Sequence, residues 1–194
     1  MNLINTGDIF LLPHGEQEAM TVTTNGIIKT NGLAVMGRGI AKAVDDRYHV
    51  AGKLARHLQT RGNIPCDLGI YDGFHILSFP TKHHWQDDSD IDLIIHSARG
   101  LIGIADDLRL KRIFMTPPGC ANGHLDWENL VKPTIQDIFD DRFWVVETYT
   151  KDFIPENFKL VNEMCNSLSK DEDLSVKNDI SMVNEKIIIS EMSL

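Results

Sequence analysis

Short apolar runs alternate with stretches in which apolar residues recur at helical spacing, over the first 150 residues of this 194-residue chain. The runs have the length and the β-branched or aromatic content of strands. Six strands are predicted, at residues 3–5, 19–25, 68–71, 74–80, 112–116 and 143–149.

Three stretches between these strands repeat apolar residues at steps of three and four, as amphipathic helices do. The longest begins at Ile91 and ends at Leu108, and a second begins at Ile40, where Gly52 is expected to interrupt or bend it. A third covers residues 126–139, in which Pro133 marks a kink or a first turn. Strands interleaved with helices predict an α/β fold, with a mostly parallel or mixed sheet and helices on both faces.

The pattern changes after Tyr149. Residues 155–169 could form one more helix, residues 169–179 are polar and acidic as in a linker, and residues 187–189 form a short apolar run. We therefore expect one domain over residues 1–150, followed by an acidic C-terminal extension over residues 151–194.

Charge and composition exclude several classes of protein. The net charge is −9, of which −5 falls in residues 152–194, and neither part carries the basic stripe of a duplex-binding protein. A small anionic ligand remains possible, because backbone amides can hold phosphate. Without a membrane-length apolar run, a secretory signal or paired cysteines, we expect a cytoplasmic protein without disulfides. We also expect it to be a monomer.

The first loop of interest is rich in glycine and reads TNG at residues 24–26 and AVMGRGIA at residues 34–41. Glycines around a helix start let backbone amides approach a diphosphate closely. The loop has neither the GxGxxG order nor the GK[ST] of the common nucleotide motifs. A tight turn with a glycine-rich helix cap explains the same residues equally well.

The second loop reads SFPTKHHW at residues 78–85. Lys82 ends an apolar strand beside two histidines and a tryptophan, and partial burial there would favour the nucleophilic amine. An ordinary surface lysine is the alternative. His83 and His84 suggest no metal site, because adjacent side chains diverge and no third ligand stands at a useful spacing.

The third loop reads TPPGCANGHLDW at residues 116–127, and its small side chains would leave amides exposed to a phosphate or a ribose. Cys120, near a helix start, is either an activated thiol or a small residue needed for close packing. Asp126 has the position of a helix N-cap.

Together these loops resemble the macro domain family, since GDI at residues 7–9 precedes TTNG, AVMGRGIA, FPTKHHW and PPGCANGHLDW in the family's order. Within the family the chain is most similar to the branch of terminal ADP-ribose glycohydrolases and of the antitoxin that strips ADP-ribose from DNA. The resemblance implies a three-layer α/β/α fold around a mixed sheet, with ADP-ribose in a cleft at the strand ends. It also implies an ADP-ribosyl glycohydrolase that needs no cofactor and acts on ADP-ribosylated DNA or protein.

The resemblance also assigns roles to individual residues. Asp8 would accept the adenine amino proton with Ile9 beside it, Asn25 would meet the distal ribose, and Lys82 would attack or polarise the anomeric carbon. The other ligand-binding residues that it implies are Thr24, Met36, Gly37, Arg38, Gly39, Ile40, Thr81, Pro118, Gly119, Cys120, Ala121, Asn122, Gly123, His124 and Leu125.

Two assignments and two other functions stay open. The first loop is lengthened by residues 27–33, so Asn31 competes with Asn25 for the ribose. The acidic residue that one relative uses in its third loop falls near Gly123, with Asp126 close by in sequence. A protein that only binds ADP-ribose, or a phosphatase of ADP-ribose 1''-phosphate, would carry many of the same motifs.

Overall fold

The computed structural model describes residues 1–13, 15–156 and 158. Six strands form one sheet: β1 (Asn2–Gly7), β2 (Glu18–Asn25), β3 (Cys66–Tyr71), β4 (Phe74–Lys82), β5 (Arg112–Met115) and β6 (Phe143–Tyr149). The α-helices are α1 (Gly39–Tyr48), α2 (Ala51–Arg61), α3 (Ile91–Asp107) and α4 (Lys132–Gln136), the last preceded by a π-helical turn, Trp127–Val131. None of the described helices is both long and apolar enough to span a lipid bilayer.

The sheet is mixed, as predicted, with the strand order β1-β6-β5-β2-β4-β3. Every neighbouring pair is parallel except β3 and β4, which are antiparallel at one edge. Parallel strands that are consecutive in sequence need crossovers, and α3 supplies the one from β4 to β5 and α4 the one from β5 to β6. The carboxyl ends of β2, β4, β5 and β6 therefore meet along one side of the sheet, where open α/β folds bind ligands.

Successive side chains along each strand point to opposite faces of the sheet, so the core is divided into two clusters, one on each face. Met20, Ile76 and Trp144 pack in the cluster that contains α1 and α2. Their neighbours in sequence, such as Leu77 and Val145, pack in the cluster that contains α3 and α4. This period of two is what a sheet covered on both faces requires, and it produces the three-layer α/β/α arrangement.

Two of the three predicted helices differ from the observed ones, the one that begins at Ile40 and the one over residues 126–139. The chain breaks after Tyr48, where His49 adopts a left-handed conformation (φ 53°) and ends α1, whereas Gly52 lies inside α2. The stretch from Asp126 to Phe139 is not one helix, because a π-helical turn takes its first half and α4 is short. The predicted helix at 155–169, the linker and the run at 187–189 lie mostly or wholly outside the described residues.

The chain after β6 returns to the core. Phe158 is buried, and its ring contacts those of Phe114 and Trp144 edge-on at centroid distances of 5.8 and 5.6 Å. Asp8 ties this segment to β1, because its Oδ2 accepts the N–H of Asp152 at 2.8 Å. The segment that follows β6 is thus held to the core by Phe158 and to the end of β1 by the bond from Asp152 to Asp8.

Asp90 caps α3, the helix that crosses from β4 to β5, and its Oδ1 accepts the N–H groups of Asp92 and Leu93. Burial raises the pKa of this carboxyl, but these bonds and the neighbouring His83 outweigh burial and hold it below its ordinary value of 3.8. The stabilisation is therefore complete above about pH 4 and is lost as the pH falls further.

Replacing Asp90 with alanine is expected to lower the free energy of unfolding by about 1 kcal/mol at neutral pH, because two helix N–H groups lose their acceptor. Urea unfolding at pH 7 and pH 3 measures this, and the difference from wild type should shrink at pH 3. Asp90→Asn, which keeps an oxygen acceptor, is the control and should remain close to wild type. A difference of equal size at both pH values would contradict the assignment.

Candidate functional site

A cleft of about 1000 Å³ lies at the carboxyl ends of β2, β4, β5 and β6. Its walls come from three loops: the first follows β2 and leads into α1, the second follows β4 and leads into α3, and the third follows β5. Of the residues predicted from sequence, Thr24, Asn25, Met36, Gly37, Arg38, Gly39, Ile40, Thr81, Lys82, Gly119, Cys120, Ala121, Asn122, Gly123 and His124 line it.

Asn25 folds the first loop through its side chain. Its Nδ2 donates to the carbonyl of Val35 at 2.7 Å, and its Oδ1 accepts the N–H of Ile27 at 3.1 Å. These bonds hold the beginning of the loop against its end, so that the lengthened part projects away. Asn31 bonds the N–H of Leu33 within that part and does not line the cleft, whereas Asn25 does.

The amino end of α1 opens into the cleft. Arg38, at the N-cap position, makes no side-chain capping bond, and the first turn holds no acidic residue. Gly37 and Gly39 have φ angles of 61° and 60°, which side chains rarely adopt, and a Cβ at Gly37 would meet nothing within 4 Å. The first N–H groups of a ten-residue helix therefore face the cleft without a side-chain acceptor, as an anion site requires.

Lys82 is held at the end of β4 by backbone groups. Its Nζ donates to the carbonyls of Asp87 and Asn122 at 2.5 and 2.8 Å, and its own carbonyl accepts the Asn63 amide at 2.9 Å. The pairing of β2 and β4 shifts register just before it, from Thr24 opposite Pro80 to Asn25 opposite Lys82. Such a bulge re-aims the strand end and places half-buried Lys82 on the cleft.

The second and third loops are joined across the cleft. Besides the bond from Lys82, the N–H of Ser89 donates to the carbonyl of Gly123 at 2.9 Å, and His124 Nδ1 lies 2.6 Å from Asp88 Oδ1. A Cβ at Gly123 would collide with Ser89 Oγ and with the carbonyl of Gly119. Only glycine allows this approach.

Two buried hydroxyls on the cleft have no hydrogen-bond partner among the described residues. Thr24 is 4% exposed and Ser89 is 8% exposed, and the Oγ1 of one and the Oγ of the other are both unpaired. Leaving such a group unpaired costs about 1–3 kcal/mol. A polar ligand in the cleft would remove that cost, so both hydroxyls favour a ligand with oxygen or nitrogen groups.

The histidines of the second loop have partners other than a metal. His83 Nε2 lies 3.2 Å from Asp90 Oδ2, and His84 Nδ1 accepts the N–H of Gln86 at 3.2 Å. No group of three or more histidine, cysteine or acidic side chains that could hold a metal ion occurs in the part of the chain that the structure describes.

Cys120 lies on the cleft as a thiol rather than a thiolate. Burial, helped by the charge of Asp126, raises the pKa of this thiol from 9.0 to about 11. Its Sγ lies 3.4 Å from the carbonyl of Pro118. Asp126 itself caps the π-helical turn by accepting the N–H of Asn129 at 2.9 Å, the capping role that its position predicts. Nothing here activates Cys120 as a nucleophile.

Four of the residues predicted from sequence do not line the cleft. Asp8 is 4% exposed and its Oδ1 accepts the N–H of Phe10, while Ile9 is fully buried in the core. Pro118 is buried, and Leu125 packs against the cluster around α3. The contact of these four residues with a ligand remains a prediction.

Several residues of the cleft wall were not predicted from the sequence. Some of them follow from the rule that ligands bind at the carboxyl ends of parallel strands. Glu147 and Tyr149 end β6, and Glu147 Oε1 accepts the indole N–H of Trp127 at 2.9 Å. Any parallel strand should contribute residues at its carboxyl end, including β6. The additional lining residues include Phe10, Trp85, Gln86, Ser89, Trp127, Glu147 and Tyr149.

Comparison with known proteins points to one group of relatives. No family model matches the sequence. The DNA ADP-ribosyl glycohydrolase of Mycobacterium tuberculosis is 30% identical over 128 residues, 62% of this chain and 36% of that protein. The one from Thermus aquaticus is 30% identical over 132 residues, 60% and 35% of the two chains. The chain thus covers about a third of the length of the curated relatives that it matches.

Comparison with solved structures gives the same group of relatives. The macrodomain of Thermus aquaticus DarG aligns with a TM-score of 0.60 at 25% identity, over 75% of this chain and 97% of that one. The macrodomain of Mycobacterium tuberculosis DarG aligns with a TM-score of 0.58 at 29% identity, over 78% and 99%. The described part of the chain has the macrodomain fold, which the resemblance of its three loops implies. In sequence and in structure it is similar to the macrodomains of the DNA ADP-ribosyl glycohydrolases called DarG.

The raised pKa of Cys120 predicts slow alkylation. At pH 7.5 iodoacetamide should label the folded protein at Cys120 about 100-fold more slowly than a thiol of pKa 9.0, because two pKa units remove that much thiolate. The rate should rise about tenfold per pH unit until about pH 11. Peptide mapping by mass spectrometry measures it, with the same cysteine in urea as the control. Labelling of the folded protein at the rate seen in urea would contradict the raised pKa, and only faster labelling than in urea would indicate an activated thiol.

Proposed function

We propose that the chain is an ADP-ribosyl glycohydrolase, which binds ADP-ribose in this cleft and releases it from a modified macromolecule. The observation that carries the proposal is Lys82, held on the cleft by the carbonyls of Asp87 and Asn122. DNA ADP-ribosyl glycohydrolase is the name of the relatives, which supports a modified DNA base as the target rather than a protein side chain.

The two ends of the cleft suit the two ends of ADP-ribose. The diphosphate would lie at the open amino end of α1, where unpaired N–H groups and the helix dipole favour anions. Phe10 and Tyr149 offer aromatic surface for the adenine at the β6 side, near Asp8. The distal ribose would then fall at the β4 side, against Lys82. Thr24 and Ser89 would supply partners for ribose hydroxyls.

Lys82 can serve the reaction in either of its protonation states. As an ammonium it has three donors, of which the backbone carbonyls occupy two, so the third can polarise the bond between the ribose and its leaving group. As a neutral amine it can give both N–H groups to the same carbonyls, which leaves its lone pair free to attack the anomeric carbon. The new C–N bond would replace the bond to the modified group, which departs with a proton. Water would then cleave the C–N bond, releasing ADP-ribose and restoring the amine. Both routes need the amine to be held in one place, which the two carbonyls do.

Replacing Lys82 with alanine should abolish release of ADP-ribose, by at least about 100-fold as is typical for loss of a catalytic group. The dissociation constant for free ADP-ribose should stay within a few-fold of wild type. Lys82→Arg distinguishes polarisation from nucleophilic attack, because a guanidinium keeps the positive charge and cannot act as a nucleophile. Activity retained by arginine favours polarisation, and activity lost favours attack.

The substrates for this experiment are an oligonucleotide and a protein that each carry ADP-ribose, offered side by side while free ADP-ribose is followed by chromatography. A protein that only binds ADP-ribose would show affinity and no release before or after the change. A phosphatase would release inorganic phosphate from ADP-ribose 1''-phosphate instead. Undiminished release by Lys82→Ala would refute the catalytic role.

Asp8 tests the adenine end of the cleft. If its carboxylate also accepts the adenine amino group, Asp8→Ala should weaken binding of ADP-ribose by about 1.5–3 kcal/mol, the cost of a hydrogen bond to a charged group. Calorimetry measures this, with thermal unfolding beside it, since Asp8 also holds Phe10 and Asp152. Asp107→Ala, at the exposed end of α3, is the matched control. Unchanged affinity in a folded Asp8→Ala protein would remove Asp8 from the site.

A further inference from the structure

The backbone at the end of β4 is held by donors from separate parts of the chain. Each carbonyl from Pro80 to His83 accepts a hydrogen bond. In the order of these carbonyls, the donors are Ser97 Oγ, the N–H of Asp90, Asn63 Nδ2 and the N–H of Gly26, at 2.9, 2.9, 2.9 and 3.1 Å. Two of these donors are side chains, so their bonds depend directly on the residue type at positions 97 and 63.

Asn63 supplies a donor to Lys82 where the regular pairing of β4 has ended. β3 pairs with β4 only as far as Cys66 opposite Ser78, and the residue before Cys66 is a proline, which has no N–H to donate. On its other side β4 pairs with β2 through the register shift at Asn25. The ladder on the β3 side therefore stops short of Lys82, and the Asn63 side chain gives the Lys82 carbonyl its bond from that side.

Asn63 is itself packed into a close junction, in the connection from α2 to β3. A Cβ at Gly26 would lie 3.2 Å from Cγ and Nδ2 of Asn63 and 3.0 Å from the carbonyl of His83. The N–H of Gly26 bonds that same carbonyl. The start of the first loop, the end of β4 and the Asn63 side chain are therefore in direct contact, and a movement of one is transmitted to the others.

The oxygen of the Asn63 amide is buried without a hydrogen-bond partner among the described residues. An unpaired buried oxygen costs stability, so asparagine is an unfavourable residue here for packing alone. A flipped amide would turn that oxygen towards the carbonyl of Lys82, where two acceptors would repel each other. The bond to Lys82 therefore sets the orientation of the amide. Buried groups that break the rules of stable packing are expected at functional sites.

We propose that Asn63 is a positioning residue for Lys82. By holding the backbone carbonyl of Lys82, Asn63 places the amine where it reaches the carbonyls of Asp87 and Asn122. The proposal rests on the glycohydrolase function above and adds to it a residue that does not line the cleft. The amine is at the far end of a flexible side chain, so a small shift of the Lys82 backbone moves it away from one of its acceptors. A misplacement of about 1 Å can cost a reaction about 100-fold in rate.

The test removes the donor in two ways and compares it with a matched bond. Asn63→Ala removes the whole amide, and Asn63→Asp keeps its size without the N–H. Ser97→Ala is the control, because it removes a side-chain bond of the same length from the carbonyl of Pro80, where β2 and β4 are still in register. Asn63→Ala and Ser97→Ala should both lower the Tm by about 2–4 °C, the effect of about one hydrogen bond in a chain of this size.

Only the two Asn63 variants should lose activity. Their kcat for release of ADP-ribose from an ADP-ribosylated oligonucleotide should fall by about 10-fold to 100-fold, because the amine is no longer held in one place. The Kd of free ADP-ribose, measured by calorimetry, should stay within about twofold of wild type in all three variants, since Asn63 touches no part of the cleft wall that binds it. Should Asn63→Ala not fold, Asn63→Asp provides the same comparison.

The position of the Lys82 amine can also be measured without turnover. In protein labelled with ¹⁵N-lysine, NMR follows the exchange of the ammonium protons with water, and the signal missing from Lys82→Ala is that of Lys82. An ammonium bonded to two carbonyls should exchange more slowly than those of exposed lysines. Slow exchange is expected in wild type and Ser97→Ala, and exchange at the rate of exposed lysines in both Asn63 variants.

The combination of the two measurements decides the proposal. Unchanged kcat in the Asn63 variants would overturn it, whatever the exchange rate. A lower kcat with the amine still slow to exchange would also overturn it, because Asn63 would then act by a route other than Lys82. An equal loss of kcat in Ser97→Ala would reduce Asn63 to a general structural role. If the wild type releases no ADP-ribose and the amine is nevertheless freed in the Asn63 variants, the glycohydrolase proposal fails while the positioning of Lys82 by Asn63 stands.

Discussion

The close approach of the second and third loops at Ser89 and Gly123 is the constraint on which the site depends. The N–H of Ser89 reaches the carbonyl of Gly123 only because residue 123 has no Cβ. The same approach carries the carbonyl of Asn122 to the amine of Lys82. Any side chain at residue 123 would push the two loops apart and release the amine from one of its two acceptors. The identity of Gly123 therefore decides where Lys82, 41 residues earlier in the chain, can point.

Backbone groups, rather than charged side chains, make this cleft suitable for an anion. The chain carries a net charge of −9, and the loop beside Lys82 is acidic. The N–H groups at the start of α1, which no side chain caps, nevertheless create a local positive potential, because they lie at the positive end of the helix dipole. Such a site attracts a diphosphate over a short distance only.

Periodicity predicts the fold well because both core faces of the sheet repeat every two residues and α3 repeats every three to four. All six strands and the long helix follow from such patterns. The break between α1 and α2 does not, since His49 takes a left-handed turn that most sequences assign to glycine or asparagine. The direction in which the Lys82 side chain points likewise cannot be predicted from the sequence. It depends on a bulge opposite Asn25 and on two carbonyls from other parts of the chain, and neither leaves a motif.

The aromatic contact of Phe158 with Phe114 and Trp144 limits how far the chain can be shortened. The last of the six strands in the described part of the chain ends at Tyr149, so a fragment ending there would retain all six. It would also lack the ring that covers two strands on the α1 side, and the N–H of Asp152 that pairs with Asp8. Such a fragment would present a new apolar hollow to water and would be prone to self-association. Trimmed versions intended for crystallisation should therefore extend past Phe158.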